Sequence, residues 1–197
     1  ELIQITTNKS SSNRYPLLMP ISGTPKNNSS LDSDVGANSV AKARIVFLGT
    51  GTSEGVPRVS CLTSPDSNCP VCPDALKPGS PNRRRNTSLL IQREFDDGRK
   101  SNIVIDAGKF FYESAIQLFP KFDVRTIDAL VITHSHADAV GGFDDLRDWT
   151  NNAQESLPIY LREVDLQVVE QLFYYLVDRS KQTGGGGVAK LNFETID

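Results

Sequence analysis

The chain has 197 residues, a formal net charge of −3 and 23% charged residues, a composition typical of a folded protein with room for one good core. A negative net charge gives no positive electrostatic field that would attract a polyanion, so the composition does not support nucleic acid as a partner. No stretch approaches the roughly 20 apolar residues that a membrane-spanning helix requires, so we expect a soluble protein without a membrane partner.

The N-terminal segment, residues 1–41, is rich in Ser, Asn, Thr and Pro and almost free of acidic residues before Asp32. It buries too little apolar surface to order itself, so a disordered tail is predicted. A Ser-rich, acid-poor segment also fits the remnant of an organelle transit peptide, although the arginine content is low for one. The expected compartment is the cytoplasm, a plastid or another organelle, and the domain is expected over 42–197.

The first half of this domain is predicted to be rich in strands. Apolar runs indicate strands at 44–48, 87–91 and 103–106, and the last two are joined across an Asp-Gly turn. A proline-rich loop at 59–81 contains all the cysteines. An amphipathic helix follows the third strand. Its apolar positions are Phe111, Ala115, Leu118 and Phe119.

The second half alternates strands with helices, which favours an α/β fold. Strands are predicted at 129–132, 157–161 and 191–196, and the glycines at 184–187 predict a flexible hairpin loop before the last strand. A short helix follows the first of these strands, and a longer helix follows the second. Their apolar positions are Phe143, Leu146 and Trp149 in the short helix and Val164, Val168, Leu172 and Leu176 in the longer one.

The only two histidines of the chain lie beside an aspartate, directly after the strand at 129–132. Side chains at i, i+2 and i+4 of an extended segment share one face, so His134, His136 and Asp138 are expected to point into one pocket. Two imidazole nitrogens and a carboxylate oxygen suit zinc, and a catalytic zinc takes three protein ligands plus a water. The alternative is a surface loop that binds no metal.

The cysteines form a second candidate metal site. Cys69 and Cys72 have the spacing that lets two thiolates bind one tetrahedral metal, and Cys61 precedes them in the same loop. Three thiolates lack the fourth ligand of a closed structural site, and an odd count argues against a framework made only of disulfides. Structural zinc is predicted; a redox pair or inert thiols are the alternatives.

These motifs resemble the signature of the metallo-β-lactamase superfamily, His-x-His-x-Asp-His at the end of a strand, with Ala139 in place of the last histidine. Asp106, at the end of an earlier strand, resembles that superfamily's strand-end aspartate, and the glycines at 141–142 also match. The resemblance implies an αββα sandwich. We expect the chain to form mainly its N-terminal half and to be incomplete at its C-terminal end, because no residues remain to build the second half.

A narrower resemblance comes from the segments at 47–57 and 83–88 together with the three cysteines. They look like the branch that contains the phosphoribosyl 1,2-cyclic phosphate phosphodiesterase of phosphonate breakdown. Members of that branch carry a structural zinc on such cysteines plus a histidine from near the end of the chain. Cys61, Cys69 and Cys72 match the cysteines, whereas the completing histidine is absent, so one structural zinc is implied for the complete protein.

The resemblance also implies a two-metal mechanism in which a bridging water attacks phosphorus. By position, His134 and His136 would bind the first ion and Asp138 the second, with zinc or manganese as the metal, while Asp106 would orient the loop or a ligand imidazole. Asp138 and Asp106 are therefore the candidate catalytic residues. Because Ala139 has no donor atom, the resemblance leaves open whether one ion or two are bound.

Further charged residues have both functional and structural explanations. Arg85, the last of three consecutive arginines, is the candidate to bind a substrate phosphate, since planar bidentate donors fit phosphate; a solvated cluster at the strand entry is the alternative. Asp144 and Asp145 are candidate substitute ligands, but acids at a helix N-terminus are also favoured by the helix dipole.

The function implied is a metal-dependent, phosphodiesterase-like hydrolase that acts on a small-molecule, cyclic or linear phosphodiester through a metal-activated water. The alternative is a catalytically impaired zinc-binding module with a structural or partner-binding role, as the alanine at 139 and the missing second half suggest. A thioesterase or an oxidoreductase of the same superfamily would use the same histidine motif. Homodimer formation is left open.

Overall fold

A computed structural model describes residues 42–182 and 186–196. The predicted tail at 1–41 and part of the glycine run at 184–187 lie outside these residues. One six-stranded sheet organises the described part of the chain, with its strands side by side in chain order. The strands are β1 Lys42–Gly49, β2 Ser88–Glu94, β3 Lys100–Ile105, β4 Ala129–Val131, β5 Leu157–Leu161 and β6 Leu191–Thr195.

The helices follow the predicted order, which confirms the α/β class. Two five-residue helices within the loop at 59–81 were not predicted, because so short a helix shows no apolar period. No helix among the described residues is both long and apolar enough to cross a bilayer. The helices are α1 Val59–Thr63, α2 Val71–Ala75, α3 Phe111–Phe122, α4 Ala137–Val140, α5 Arg147–Asn152, α6 Glu163–Leu172 and α7 Tyr174–Val177.

The sheet is mixed, and its parallel part positions the loops of interest. Strands β1, β2 and β3 are antiparallel neighbours, whereas β3, β4, β5 and β6 are parallel. The predicted hairpin between β2 and β3 turns at Gly98, whose φ of 80° belongs to the left-handed region. Since parallel strands end at the same edge, the segments that follow β3, β4 and β5 meet there.

The core lies between one face of this sheet and the helices. Leu90, Val104, Leu130 and Ile159 occupy neighbouring strands and are all fully buried. Alternate residues on the opposite face are only half-buried among the described residues, and Ile45 is 36% exposed. One sheet with one helical layer corresponds to half of the αββα sandwich, as predicted.

Helix α6 lies where the sequence predicts a helix, but it buries a different face. Of the four apolar residues that marked the predicted helix, Val164, Val168 and Leu172 are exposed, whereas Leu176, which lies in α7, is buried. Val169, which the prediction did not use, is fully buried. The chain bends at Phe173, which has φ −125° and ψ 43° and separates α6 from α7. The bend breaks the helical period that the prediction assumed to be continuous.

Candidate metal centre

The two histidines lie where the chain leaves the sheet. Ile132 still donates its backbone N–H to Tyr160 of the neighbouring strand region, at 2.8 Å. The chain then bends at Thr133, Ser135 and His136; His136 has φ −78° and ψ 158° and directly precedes α4. The ring centroids of His134 and His136 are 5.0 Å apart and the rings are nearly perpendicular. Both imidazoles therefore lie close together at the edge where β4 ends.

Asp138 joins the histidines from the first turn of α4. Its Oδ1 atom is 3.4 Å from Nε2 of His134, and one ligand atom each from His134, His136 and Asp138 lies within 4.8 Å of the other two. The predicted convergence thus occurs for a partly different reason. The two histidines lie in the bent segment that follows β4, and the start of α4 turns Asp138 back towards them.

Ser53, from the loop after β1, holds the other oxygen of this carboxylate. Its Oγ donates to Oδ2 of Asp138 at 2.6 Å, and this hydrogen bond is the main reason why the pKa of Asp138 lies below its ordinary value. The sequence analysis assigned Ser53 no individual role. No spacing rule links it to Asp138, because 85 residues separate them in the chain.

Asp106 lies at the end of β3 in a left-handed conformation, with φ 59°. It does not contact an imidazole in the hydrogen-bond network; instead both carboxylate oxygens bind Thr133. Its Oδ1 accepts the Thr133 backbone N–H at 2.8 Å, and its Oδ2 accepts the Thr133 hydroxyl at 2.7 Å. Burial raises the pKa of Asp106, and the two Thr133 hydrogen bonds oppose this rise.

The Thr133 hydroxyl links Asp106 to His134. Its oxygen lies 3.0 Å from Nδ1 of the imidazole. A hydroxyl has a single proton, and this one donates it to the Asp106 carboxylate, so Nδ1 must be the donor towards the Thr133 oxygen. The neutral ring then has its lone pair on Nε2, the nitrogen that faces Asp138. A neutral imidazole with its lone pair on Nε2 is in the form that can bind a metal.

Two glycines allow the segment after β3 to pack backbone to backbone against α4. A Cβ atom on Gly108 would lie 2.0 Å from the carbonyl oxygen of Asp138, and one on Gly142 would lie 2.7 Å from the carbonyl oxygen of Gly108. The backbone N–H of Ala107 donates to the carbonyl of Ala139 at 2.7 Å. The two loops that frame the three-ligand cluster are therefore held at a separation that no larger residue permits.

Ala139 stands where the superfamily signature has its last histidine. Its methyl group is fully buried and belongs to the main core cluster. Asp144 and Asp145 were considered as substitute ligands, but the three-ligand cluster found among the described residues includes neither. The pKa of Asp145 is raised by burial and, to a lesser degree, by the neighbouring charge of Asp144.

The cysteines form a second cluster, in which one sulfur each from Cys61, Cys69 and Cys72 lies within 4.8 Å of the others. Cys61 comes from α1 and Cys72 from α2, and all three are free thiols. The Cys72 backbone N–H points at the sulfur of Cys69 at 3.5 Å and is the main cause that lowers the pKa of Cys69 to about 7. Thiolates are the form that binds zinc, so the donor set fits a structural ion.

Arg85 packs against α3. Its Nε lies 3.3 Å from the Glu113 carboxylate, which also accepts Arg83 at 3.0 Å. The Arg85 side chain is 13% exposed, and its Nη2 is buried without a hydrogen-bond partner among the described residues. The predicted role of Arg85 in substrate binding stays a prediction, since its contacts are those of a structural ion pair.

The chain resembles a family model and a curated protein. A family model described as a beta-lactamase superfamily domain matches residues 101–194. An octanoyltransferase of Porphyromonas gingivalis is 35% identical over 141 residues, which make up 72% of this chain but only 25% of that protein.

Two solved structures also resemble the chain. A diphosphatase of the PhnP family superposes with a TM-score of 0.56 and 26% identity over 79% of this chain and 51% of its own. Zinc-bound PqqB from Methylobacterium extorquens superposes with a TM-score of 0.52 and 20% identity, over 78% of this chain and 49% of its own, and supports the fold alone. The chain thus spans about half the length of these structures and a quarter of the P. gingivalis protein. The family model, the strand-end motif and the likeness to the PhnP-family diphosphatase together place residues 101–194 in the beta-lactamase superfamily, and the described part of the chain has the fold of these structures.

Proposed function

We propose that the protein is a metal-dependent hydrolase of a small-molecule phosphodiester and that His134, His136 and Asp138 hold its catalytic divalent ion, zinc or manganese. The observation that carries this proposal is the clustering of two imidazole nitrogens and a carboxylate oxygen within 4.8 Å at the sheet edge. The donor types suit either ion. The similarity to a diphosphatase of the PhnP family supports a phosphate-containing substrate.

A divalent ion bound there would lower the pKa of a coordinated water to about 7, which would supply hydroxide at neutral pH. The surrounding residues of the chain hold the proposed ligand side chains in place. An Nδ1–H of His134 donated to the Thr133 hydroxyl, 3.0 Å away, would leave the Nε2 lone pair free for the ion. Ser53 occupies one oxygen of Asp138 and leaves the other facing His134. The centre is open to solvent, because His136 is exposed and the His134 side chain is 39% exposed.

The two candidate catalytic carboxylates receive different roles in this proposal. Asp138 lies in the cluster with His134 and His136, so it would hold the ion directly. Asp106 is 8% exposed and acts through Thr133, which makes it a positioning residue. Loss of Asp106 would leave the tautomer and the orientation of the His134 ring unfixed, but it would not remove a ligand atom.

Acyl transfer is not part of the proposal, although the P. gingivalis relative is named octanoyltransferase. That name describes a protein four times as long as the matched region. A serine hydroxyl is activated as a nucleophile by an adjacent general base. The chain has two histidines in all, and both belong to the proposed metal centre.

A second candidate function, a zinc-binding module without catalysis, is favoured by Ala139. Its buried methyl group replaces a ligand of the superfamily signature with core packing. The two candidates differ in what metal loading does. In the hydrolase, metal binding at His134 and His136 is required for turnover, whereas in the module metal binding changes stability and leaves turnover absent.

The test is hydrolysis of bis-p-nitrophenyl phosphate and of a cyclic phosphodiester by the full-length protein, with Mn²⁺ or Zn²⁺ added after removal of bound metal. We expect turnover that depends on metal and is lost in His136→Ala. Glu155→Ala, which removes an exposed carboxylate far along the chain from the ligands, is the control and should retain turnover. A metal-loaded, folded wild type without turnover on either substrate would favour the non-catalytic module.

A further inference from the structure

The segment that presents the histidines is held from both sides by buried carboxylates. Sheet hydrogen bonding from β4 to β5 reaches Ile132. Beyond it, the backbone N–H of Thr133 binds Asp106, and the backbone N–H of Ser135 binds Oδ1 of Asp165 at 3.0 Å. Asp106 comes from the end of β3 and Asp165 from α6, which follows β5. The two strands that flank β4 therefore each supply one anchor.

Asp165 is itself held in place. Its Oδ2 accepts Nε and Nη2 of Arg162, both at 2.7 Å. The residue is only 4% exposed. Burial opposes its negative charge, but the hydrogen bonds and charge of Arg162 together with the hydrogen bonds from Ser135 prevail, and the pKa of Asp165 lies below its ordinary value. The carboxylate that faces the Ser135 amide is therefore ionised at neutral pH.

The position of Asp165 in the first turn of α6 does not by itself explain this arrangement. An acid there is favoured by the helix dipole, but that effect does not require burial. Glu163 lies in the same turn and is exposed. Asp165 instead reaches out of its helix to a backbone amide 30 residues earlier in the chain. A buried carboxylate is costly unless its hydrogen bonds are specific, and this one binds the residue between the two histidines.

We propose that Asp165 is a positioning residue of the metal centre: it holds the Ser135 backbone and thereby sets the relative orientation of the His134 and His136 imidazoles. Arg162 supports it by fixing the carboxylate. This inference rests on the proposed function, because it assumes that the two imidazoles bind one ion. It adds a residue that lies outside the His-x-His-x-Asp motif and does not contact the ion.

The substitution D165N tests the role with little change in shape. An amide has one oxygen and one NH₂ group, so it cannot accept from Ser135 and Arg162 at once through two oxygens. One of these donors then faces another donor or remains unpaired. Loss of such a supporting group typically weakens metal binding about 10- to 100-fold. We expect D165N to bind metal about tenfold more weakly, and D165A to be affected at least as much.

Mn²⁺ is the appropriate probe, because the cysteine cluster offers soft thiolates that favour zinc, whereas nitrogen and oxygen ligands accept Mn²⁺. Free Mn²⁺ is measured by electron paramagnetic resonance during titration of the full-length protein. Hydrogen exchange at the Ser135 amide is measured in parallel on the metal-free protein. The matched control is E163Q, which removes the same charge from the same turn of α6.

We expect D165N to raise the Kd for Mn²⁺ about tenfold and to accelerate exchange at Ser135, with E163Q close to wild type. The inference is overturned if D165N folds and binds Mn²⁺ with the wild-type Kd, or if E163Q weakens binding equally. D165N settles the question even if D165A does not fold. A wild-type protein that binds no Mn²⁺ would overturn the proposed function itself, a result distinct from normal binding by D165N.

Discussion

Replacement of Thr133 by valine removes one hydroxyl and keeps the shape of the side chain. The hydroxyl donates to Asp106 at 2.7 Å and lies 3.0 Å from Nδ1 of His134. Valine leaves the backbone N–H bond to Asp106 intact. The substitution therefore tests the link from Asp106 through the Thr133 hydroxyl to His134. It removes neither a proposed metal ligand nor the Asp106 carboxylate.

The size of the effect follows from the two bonds. A hydrogen bond to a charged group contributes about 1.5–3 kcal/mol, and Thr133 is exposed, so water partly replaces the lost partner. We expect Thr133→Val to lower the free energy of unfolding by about 1.5 kcal/mol. Release of the His134 ring should weaken metal binding by about tenfold, which equals about 1.4 kcal/mol.

The assay combines urea unfolding of the metal-free protein with Mn²⁺ titration of the folded protein. Thr133→Ser is the control, because it retains the hydroxyl and should keep metal affinity within about twofold of wild type. Wild-type Mn²⁺ affinity in both Thr133→Val and Asp106→Asn would show that the Thr133 hydroxyl does not orient His134. The interpretation of Asp106 as a positioning residue would then be wrong.

Three further outcomes are expected. Gly108→Ala would place a Cβ 2.0 Å from the Asp138 carbonyl; it should destabilise the protein by about 1–3 kcal/mol and weaken Mn²⁺ binding, and wild-type values for both would contradict the close packing. Cys72→Ser should reduce the zinc content of the full-length protein by one ion per chain without changing Mn²⁺ affinity, as elemental analysis and titration would report. Because the pKa of Asp165 is lowered in the folded protein, its stabilising effect is present above its unfolded pKa of about 3.9 and is lost as the pH falls through its folded value. The difference in unfolding free energy between wild type and Asp165→Asn should therefore shrink on acidification from pH 5 to pH 3, and a constant difference would contradict the charged form.

The fold and the clustering of His134, His136 and Asp138 were accessible from the sequence because their signals are local. Apolar runs predicted the strands, and the spacing of His134 and His136 after a strand predicted a shared face. The orientation of α6 was not accessible, because Val164, Val168 and Leu172 form a regular apolar stripe that lies on the exposed side. The face that a helix buries depends on the apolar surface of the sheet against which it packs, and the sequence of the helix alone does not determine this.

The supporting residues were missed for a related reason. Thr133, Ser53 and Asp165 are common polar residues with no motif, and two of them act over 85 and 30 residues of chain. Their roles arise only where the ends of neighbouring strands meet. Asp106 was identified because it matches a family pattern, yet its contact proved to be Thr133 and not an imidazole. Sequence spacing predicts which ligands share a face, whereas hydrogen bonds between loops determine how each ligand is held.

The most direct test of the metal centre is anomalous diffraction at the zinc edge from crystals of the full-length protein grown with zinc. We predict a peak bonded to Nε2 of His134, to His136 and to Asp138, at about 2.0–2.2 Å from each ligand atom. Imidazoles that point apart, with no peak between them under saturating zinc, would contradict the proposed function and leave only the fold.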